Sequence, residues 1–365
     1  MDRKSLGRYE IIRALASAPW GPVYEGRDAV AQRPVILHTV GLQDLSEQAA
    51  TEFTDRFRAD ALAASRLVHP RIAGVLDFSR ADDLAYLVTQ HADGRPLRAV
   101  LDAGERPSAA QAVALVLDLL AALEHAHAKG IVHRAVRPAN LFVHDGRASL
   151  TGFGMACIQQ SEATTGAKLG ALASGTRYMS PEQVQGLQLE ARSDLFSVGV
   201  VLYELLTGTN PFDGGNAFAV IQRILTLAPA APSQLVAGLP AELDAVLAKA
   251  LAKNRNDRFA SAREFAQALQ PFAPAPVPAS TPAPTPVEEP EAPAAQAPAP
   301  AAVAAAGDTG ARHETIAAEL ELEYWKDIKE SDDPEDFQQF LRSFPDGHFA
   351  PLAQRRLRKM GQNAA

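Results

Sequence analysis

Cysteine is almost missing from this chain of 365 residues. The single Cys157 excludes an internal disulfide and a cysteine-based zinc site, and it suits a reducing compartment. The start, Met1-Asp2-Arg3-Lys4-Ser5-Leu6, lacks the apolar core of a signal peptide. No unbroken run reaches the roughly 18 apolar residues that span a bilayer. The longest candidate, Ala112 to Ala128, is interrupted by Asp118, Glu124 and two histidines, and it reads as a buried soluble helix. A basic stripe is also missing, and the formal net charge is −8. The one dense basic run, Arg355-Arg356-Leu357-Arg358-Lys359, ends a tail helix, where cations favour the helix dipole. Together these absences predict a cytoplasmic protein without a nucleic-acid or membrane partner.

What is present is an ordinary globular balance, 47% hydrophobic and 21% charged. The length accommodates one domain of about 250–270 residues and something small beside it. Three segments separate by composition. In residues 8–270 short β-like runs come first (Tyr9 to Leu15, Pro22 to Arg27, Val35 to Val40, Ala85 to Gln90) and longer helical stretches follow. Strands before helices predict an α+β domain with a small sheet lobe and a larger helical lobe. Residues 271–312 are dominated by Pro and Ala, which predicts an extended, disordered linker. Residues 313–361 are expected to form three helices. Ile316, Leu320, Tyr324 and Ile328 line the first, and Phe337, Phe340, Leu341 and Phe344 face inward from the second. After the turn at Pro345-Asp346-Gly347, Leu352, Leu357 and Met360 mark the third.

Four ordered motifs identify the first segment. They are His133-Arg134-Ala135-Val136-Arg137-Pro138-Ala139-Asn140, Thr151-Gly152-Phe153-Gly154, Gly175-Thr176-Arg177-Tyr178-Met179-Ser180-Pro181-Glu182-Gln183, and Arg192-Ser193-Asp194-Leu195-Phe196-Ser197-Val198-Gly199. They resemble the HRDLKPxN, TDFG, GTxxYMAPEQ and RSDxYSLG motifs of the bacterial Ser/Thr protein kinases of eukaryotic type, and the resemblance covers nearly all of residues 8–270. It implies a bilobal protein-kinase-like fold with a small β-rich N-lobe and a larger helical C-lobe, followed by the linker and a small all-α tail. The tail is similar in style to a tetratricopeptide-like helix pair.

Function has to be argued from the site rather than the fold. Kinase catalysis rests on magnesium held by acidic and amide ligands, a lysine on the phosphates and an aspartate that accepts the hydroxyl proton. Against the resemblance, this chain departs at each of these positions. The family's GxGxxG loop reads Ala16-Ser17-Ala18-Pro19-Trp20-Gly21, in which the alanines and proline stiffen the phosphate cradle. His38 replaces the phosphate-binding lysine; with a reference pKa of about 6.5 it is mostly neutral at pH 7. Asp60 replaces that lysine's glutamate partner, Ala135 the catalytic aspartate and Gly152 the magnesium-binding aspartate. Arg137 keeps the charge of the loop lysine. Asn140 is retained, a neutral amide and a poor sole ligand for a hard dication.

The degenerate nucleotide pocket is expected to comprise Ala16, Ala18, Gly21, Val23, Ile36, Thr89, Gln90, Ala92 and Phe142. Ile36 and Phe142 are larger than the family's residues and are expected to fill the adenine space themselves. The scaffold positions are kept: His133 and Phe153 match a hydrophobic spine, Asp194 the anchor of the catalytic loop, and Glu182 with Arg258 a bracing ion pair. Arg134 matches the arginine that grips a phosphorylated activation segment, for which Ser161, Thr164, Thr165, Ser174 and Thr176 are candidate acceptors. Cys157 reads as a small buried hydrophobe. Trp325 beside Tyr324 reads first as part of the tail's own core and second as an anchor for a partner.

The expectation is a pseudokinase: a signalling scaffold or allosteric adaptor that binds proteins, an active kinase or its substrate among them. No cofactor and no metal are expected. Two alternatives stay open, an atypical or weakly active Ser/Thr kinase and a sensor that binds ATP or ADP weakly without magnesium.

Overall fold

The computed structural model describes residues 4–18, 20–155, 158 and 175–274, and nearer the C-terminus 325, 329, 337–338, 340–341 and 348–363. The chain divides into two compact units, Met1–Pro274 and Ala275–Ala365.

The first unit begins with six strands: β1 (Ser5–Leu6), β2 (Tyr9–Ala18), β3 (Gly21–Asp28), β4 (Pro34–Gly41), β5 (Val75–Ala81) and β6 (Leu84–Gln90). They form one antiparallel sheet in the order β1-β2-β3-β4-β6-β5. Successive side chains of a strand point to opposite faces. Val35 and Leu37 of β4 therefore join Leu6, Tyr9, Tyr86 and Val88 in a small outer core, and Ile36, His38 and Val40 turn the other way. Between β4 and β5 runs α1 (Glu47–Ala64), capped by Ser46, whose hydroxyl accepts from the Ala49 amide. Ala50, Thr54, Phe57, Ala61 and Ala64 form its buried stripe. Phe57 meets Phe78 of β5 edge-on, ring centroids 4.8 Å apart.

The helical lobe holds α2 (Leu97–Asp102), α3 (Ala109–His127), α4 (Pro181–Val184), α5 (Ala191–Thr207), α6 (Ala217–Thr226), α7 (Pro232–Leu235), α8 (Glu242–Ala250) and α9 (Ala262–Leu269), with a small sheet of β7 (Arg95–Pro96), β8 (Leu141–His144) and β9 (Arg147–Leu150). α3 opens with a capping box between Ser108 and Gln111. By length and composition alone it is apolar enough to cross a membrane. Its Val113, Val116, Leu120, Leu123 and Ala126 are nevertheless spent on the lobe's core. α5 is buried along nearly its whole length and stops at Gly208, whose φ of +74° closes the helix. One continuous core runs from Phe57, Ala61 and Leu87 through Phe153 to Phe196 and Leu202.

Two buried acids organise this lobe from within apolar helices. Asp118 of α3 takes two hydrogen bonds from the Arg147 guanidinium, at 2.9 and 2.7 Å, and one from the Ala148 amide at 2.9 Å. Glu204 of α5 accepts from Tyr178 Oη at 2.6 Å and from Arg98 at 3.0 Å. The unit runs on past α9, because Phe272 and Ala273 pack against its core. Its last turn thus includes residues that composition alone assigns to the linker.

In the second unit α10 (Ala350–Asn363) is the third expected tail helix. Phe337, Phe340, Ala350 and Ala353 are buried. Trp325 stacks on Phe349 with centroids 5.6 Å apart and rings 7° from parallel, and it meets Phe340 edge-on. Trp325 belongs to the tail's own packing, the first of the two readings. The expected first helix and the Pro345 turn lie outside the described residues, as does most of the linker.

Candidate functional site

The two lobes of the first unit face each other across a cleft. Its upper wall is the inward face of the large sheet. Strand register sets Val23 opposite His38, His38 opposite Leu87, and Ile36 opposite Thr89. His38 Nε2 lies 3.4 Å from Thr89 Oγ1. Burial lowers the His38 imidazole to about 4, because a charged ring loses its hydration there. His38 is therefore neutral at pH 7 and brings no charge to this wall. At the β2–β3 turn, a Cβ on Gly21 would sit 2.4 Å from the Thr39 carbonyl oxygen. Close backbone approach accounts for a glycine at this position. Ala16 is exposed on β2, the Ala18 side chain and Pro19 lie outside the described residues, and Trp20 packs against the main core. Farther along, Thr89 and Ala92 are buried, and Gln90 is exposed with its side-chain oxygen accepting from the Gly74 amide at 3.1 Å.

The lower wall is a loop hung from one carboxylate. Asp194, on the first turn of α5, accepts from the backbone amides of His133 and Arg134, both at 2.8 Å, and lies 2.8 Å from His127 Nε2. Arg134 takes a φ of +68°, rare for a residue with a Cβ. The two amide bonds and a third, from Gln183 Nε2 to the Arg134 carbonyl at 2.7 Å, hold it there. His133 has both nitrogens committed: Nδ1 accepts from the Ala135 amide at 3.2 Å, and Nε2 donates to the Thr151 carbonyl at 2.9 Å. That pattern fixes one neutral tautomer, and burial lowers the ring's pKa accordingly. Asn140 donates from Nδ2 to the Ala135 carbonyl at 2.8 Å. Its backbone carbonyl accepts from the Thr151 amide at 2.9 Å.

These bonds bring Ala135, Asn140 and Gly152 into one corner. A Cβ on Gly152 would lie 3.3 Å from Asn140 Nδ2 and 3.6 Å from His133 Nε2, and the backbone there has a φ of +95°. Phe153 packs edge-on against His133, centroids 4.5 Å apart. A Cβ on Gly154 would meet Ala61 of α1, Val75 of β5 and Leu87 of β6, each at 3.4 Å. The Gly152–Gly154 turn is thus seated between the helix and the sheet of the upper lobe. Asp60 is half-buried on α1 beside Ala61. Arg137 lies against the backbone of Gly175, where a Cβ would be 2.8 Å from Nη1.

Below the loop, Arg258 holds Glu182 with two bonds, at 2.7 and 2.9 Å, and Ser193 Oγ donates to the same carboxylate at 2.6 Å. Burial alone would raise the Glu182 pKa, but the hydrogen bonds from Arg258 and Ser193 outweigh it and hold the group below its usual value.

A family model described as the protein kinase domain matches residues 9–270. The chain belongs to the protein kinase family. It is 36% identical over 266 residues to the serine/threonine-protein kinase PksC of Streptomyces coelicolor, covering 70% of this chain and 47% of that protein. It is 36% identical over 263 residues to PknB of Mycobacterium leprae, covering 70% and 42%, and 30% identical over 265 residues to PrkC of Bacillus subtilis, covering 72% and 40%. The chain therefore spans less than half the length of these curated relatives.

Within the kinase domain, the expected site residues fall into three groups. His133, Ala135, Asn140, Gly152 and Phe153 are brought together by hydrogen bonds and ring contact. Val23, Ile36, His38 and Thr89 share one face of the sheet. Phe142 stands in the small sheet, paired with Pro96 and Ser149, and like Ile36 it is half-buried. Thr176 needs correction as an exposed phosphate acceptor: it is buried, at 6% exposure. The other candidate acceptors, and Cys157, lie outside the described residues. Glu204 and Asp118 were not singled out as structural centres from the sequence. The signal available was a lone acid inside an apolar helix, which demands buried partners.

Proposed function

We propose that this kinase-family domain works by binding proteins and not by efficient phosphoryl transfer. One observation carries the reading. At the positions where kinase chemistry needs charged groups stand the neutral His38 ring on the sheet and, on the loop, the Ala135 methyl group, the Asn140 amide and the bare Gly152 backbone. Phosphoryl transfer depends on electrostatic stabilisation of the metal-bound phosphates, and an alanine can neither accept a proton nor orient a hydroxyl. The braces at Asp194 and Glu182 support a domain that keeps its shape for recognition. On this reading the protein is a cytoplasmic adaptor whose partners are other proteins, an active kinase or its substrate among them. Ile36 and Phe142 narrow the adenine space, and no cofactor is required.

A second reading has its own support. The curated relatives are named protein kinases, and Arg137 and Asn140 remain on the loop, which is compatible with a weakly active enzyme. A thermal melt with ATP, with and without magnesium, separates the readings. A site filled to 100 times its Kd would add about 2.7 kcal/mol to stability. The binding reading expects no magnesium-dependent shift and no labelled phosphate on a general protein substrate. A shift that requires magnesium, together with phosphate transfer that His38→Ala and Asn140→Ala abolish, would overturn it. A shift that magnesium does not increase would point to a nucleotide sensor.

A further inference from the structure

On the helical lobe, away from the cleft, a cavity of about 530 Å³ opens between the segment that joins α6 to α7 and the face of α8. That volume lies within the range of small-molecule sites. Pro229, Ala231, Pro232, Ala248 and Leu251 supply apolar walls. Two polar contacts hold the walls in place. Tyr203 Oη donates to the Ala230 carbonyl at 3.1 Å, and Asp244 accepts from the Ser233 amide at 3.0 Å and from its hydroxyl. Tyr203 and Asp244 both line the cavity, and both are engaged in this bracing.

Lys253, at the rim, is different. Its ammonium donates to the Ile224 carbonyl at 2.7 Å and the Arg223 carbonyl at 3.4 Å, and it stands 4.3 Å from the centroid of the Phe212 ring. These partners are the carbonyl end of α6 and an aromatic face, dipoles and a quadrupole but no anion. The charged neighbour that acts on Lys253 is Arg258, another cation, and Glu182 already claims that one. Burial lowers the amine to about 8. Among the described residues this half-buried ammonium forms no ion pair, and it lines a cavity whose walls are mostly apolar.

We propose that this cavity binds an aliphatic monocarboxylate, its chain against the alanine and proline walls and its carboxylate on Lys253. A single ammonium charge matches a single carboxylate. A phosphate ester would ask for several donors, of the kind an arginine fork or a helix N-terminus supplies. This site is independent of the interlobe cleft and of the proposal made for it.

The test is calorimetric titration of the full chain with decanoate, decyl phosphate, decylammonium and decanol. Decanoate is expected to bind at one site per chain, about tenfold or more tighter than the other three. Ala248→Phe, which fills the cavity and leaves the lysine in place, is expected to abolish binding. Lys253→Met is expected to reduce the preference for decanoate over decanol to within about twofold. Affinity should also fall as pH rises through the lysine's titration, and ligation should raise the pKa read from the Lys253 Cε resonance. Lys253→Met removes a cap on α6, so Ala248→Phe decides alone where Lys253→Met does not melt cooperatively. Equal binding of decylammonium, many weak sites per chain, or unchanged binding in Ala248→Phe would each overturn the proposal.

Discussion

The supports of the cleft and its floor are built in opposite ways. Asp194 and Glu182 sit 1% and 3% exposed, and each carboxylate gathers three donors from elements far apart in the chain. On the floor, Ala135 and Gly152 offer a methyl group and no side chain, and the neighbouring polar atoms bond mainly to each other's backbone. Buried ions are costly unless fully partnered, so maintaining three-donor carboxylates is an investment in shape. The floor carries no comparable cost. In this chain architecture and charge have been separated, with the charge concentrated where it fixes the loop's path.

The comparison predicts unequal penalties. Breaking the Glu182–Arg258 pair should have the largest effect, because the two side chains are 4% and 0% exposed and the survivor would be a buried, uncompensated charge. Arg258→Met is expected to cost about 3–5 kcal/mol in denaturant unfolding. Replacing both partners by apolar residues should cost clearly less than the single change. A double variant no better than Arg258→Met would show that packing, not charge, sets the penalty.

The upper wall supplies the next effect, through pH. Burial lowers the His38 ring from its ordinary value of 6.5 to about 4. A depressed value means that the fold prefers the neutral ring. Its contribution is complete above pH 6.5 and is lost as pH falls toward 4, a change on the order of 3 kcal/mol. His133 and His69 are shifted in the same direction, with burial as the main cause in both. The test is therefore a difference: His38→Leu should flatten the stability profile between pH 6.5 and 4 relative to the native chain. Superimposable profiles would place the His38 ring in contact with water.

Much of this was legible in the sequence, and the rest was hidden for physical reasons. Period-2 alternation placed β2, β3, β4 and β6 to within a few residues. β5 escaped notice because its residues are half-buried and its ladder is irregular between Val75 and Asp77. The motif residues were found because each motif is a short local string with a strong pattern, and the structure joins them by contacts: Asp194 holds the His133 amide, Glu182 pairs with Arg258, and His133 meets Phe153. Asp118 and Glu204 escaped because their partners are remote: Arg147 and Ala148 for one, Tyr178 and Arg98 for the other. Interruptions of an apolar helix look like flaws until the opposing donors are in view. Thr176 looked available for the converse reason. A hydroxyl in a loop-like string carries no sign of its burial.

Gly152 gives the sharpest test of the floor, with the smallest expected change in stability. Its φ of +95° is disfavoured for residues with a Cβ, and a Cβ there would press to 3.3 Å from Asn140 Nδ2. Gly152→Asp should therefore cost about 1–3 kcal/mol, the scale of one strained backbone site. It also returns a carboxylate to the corner beside Asn140. If the missing charge alone keeps this domain from magnesium and nucleotide, the variant should gain a magnesium-dependent thermal shift with ATP. The expected result is no such shift, because the His38 ring would stay neutral and Ala135 would still lack a proton acceptor. A clear shift from this one substitution would mean that the floor is a single step from a working site, and the contrast between support and floor would reduce to one carboxylate.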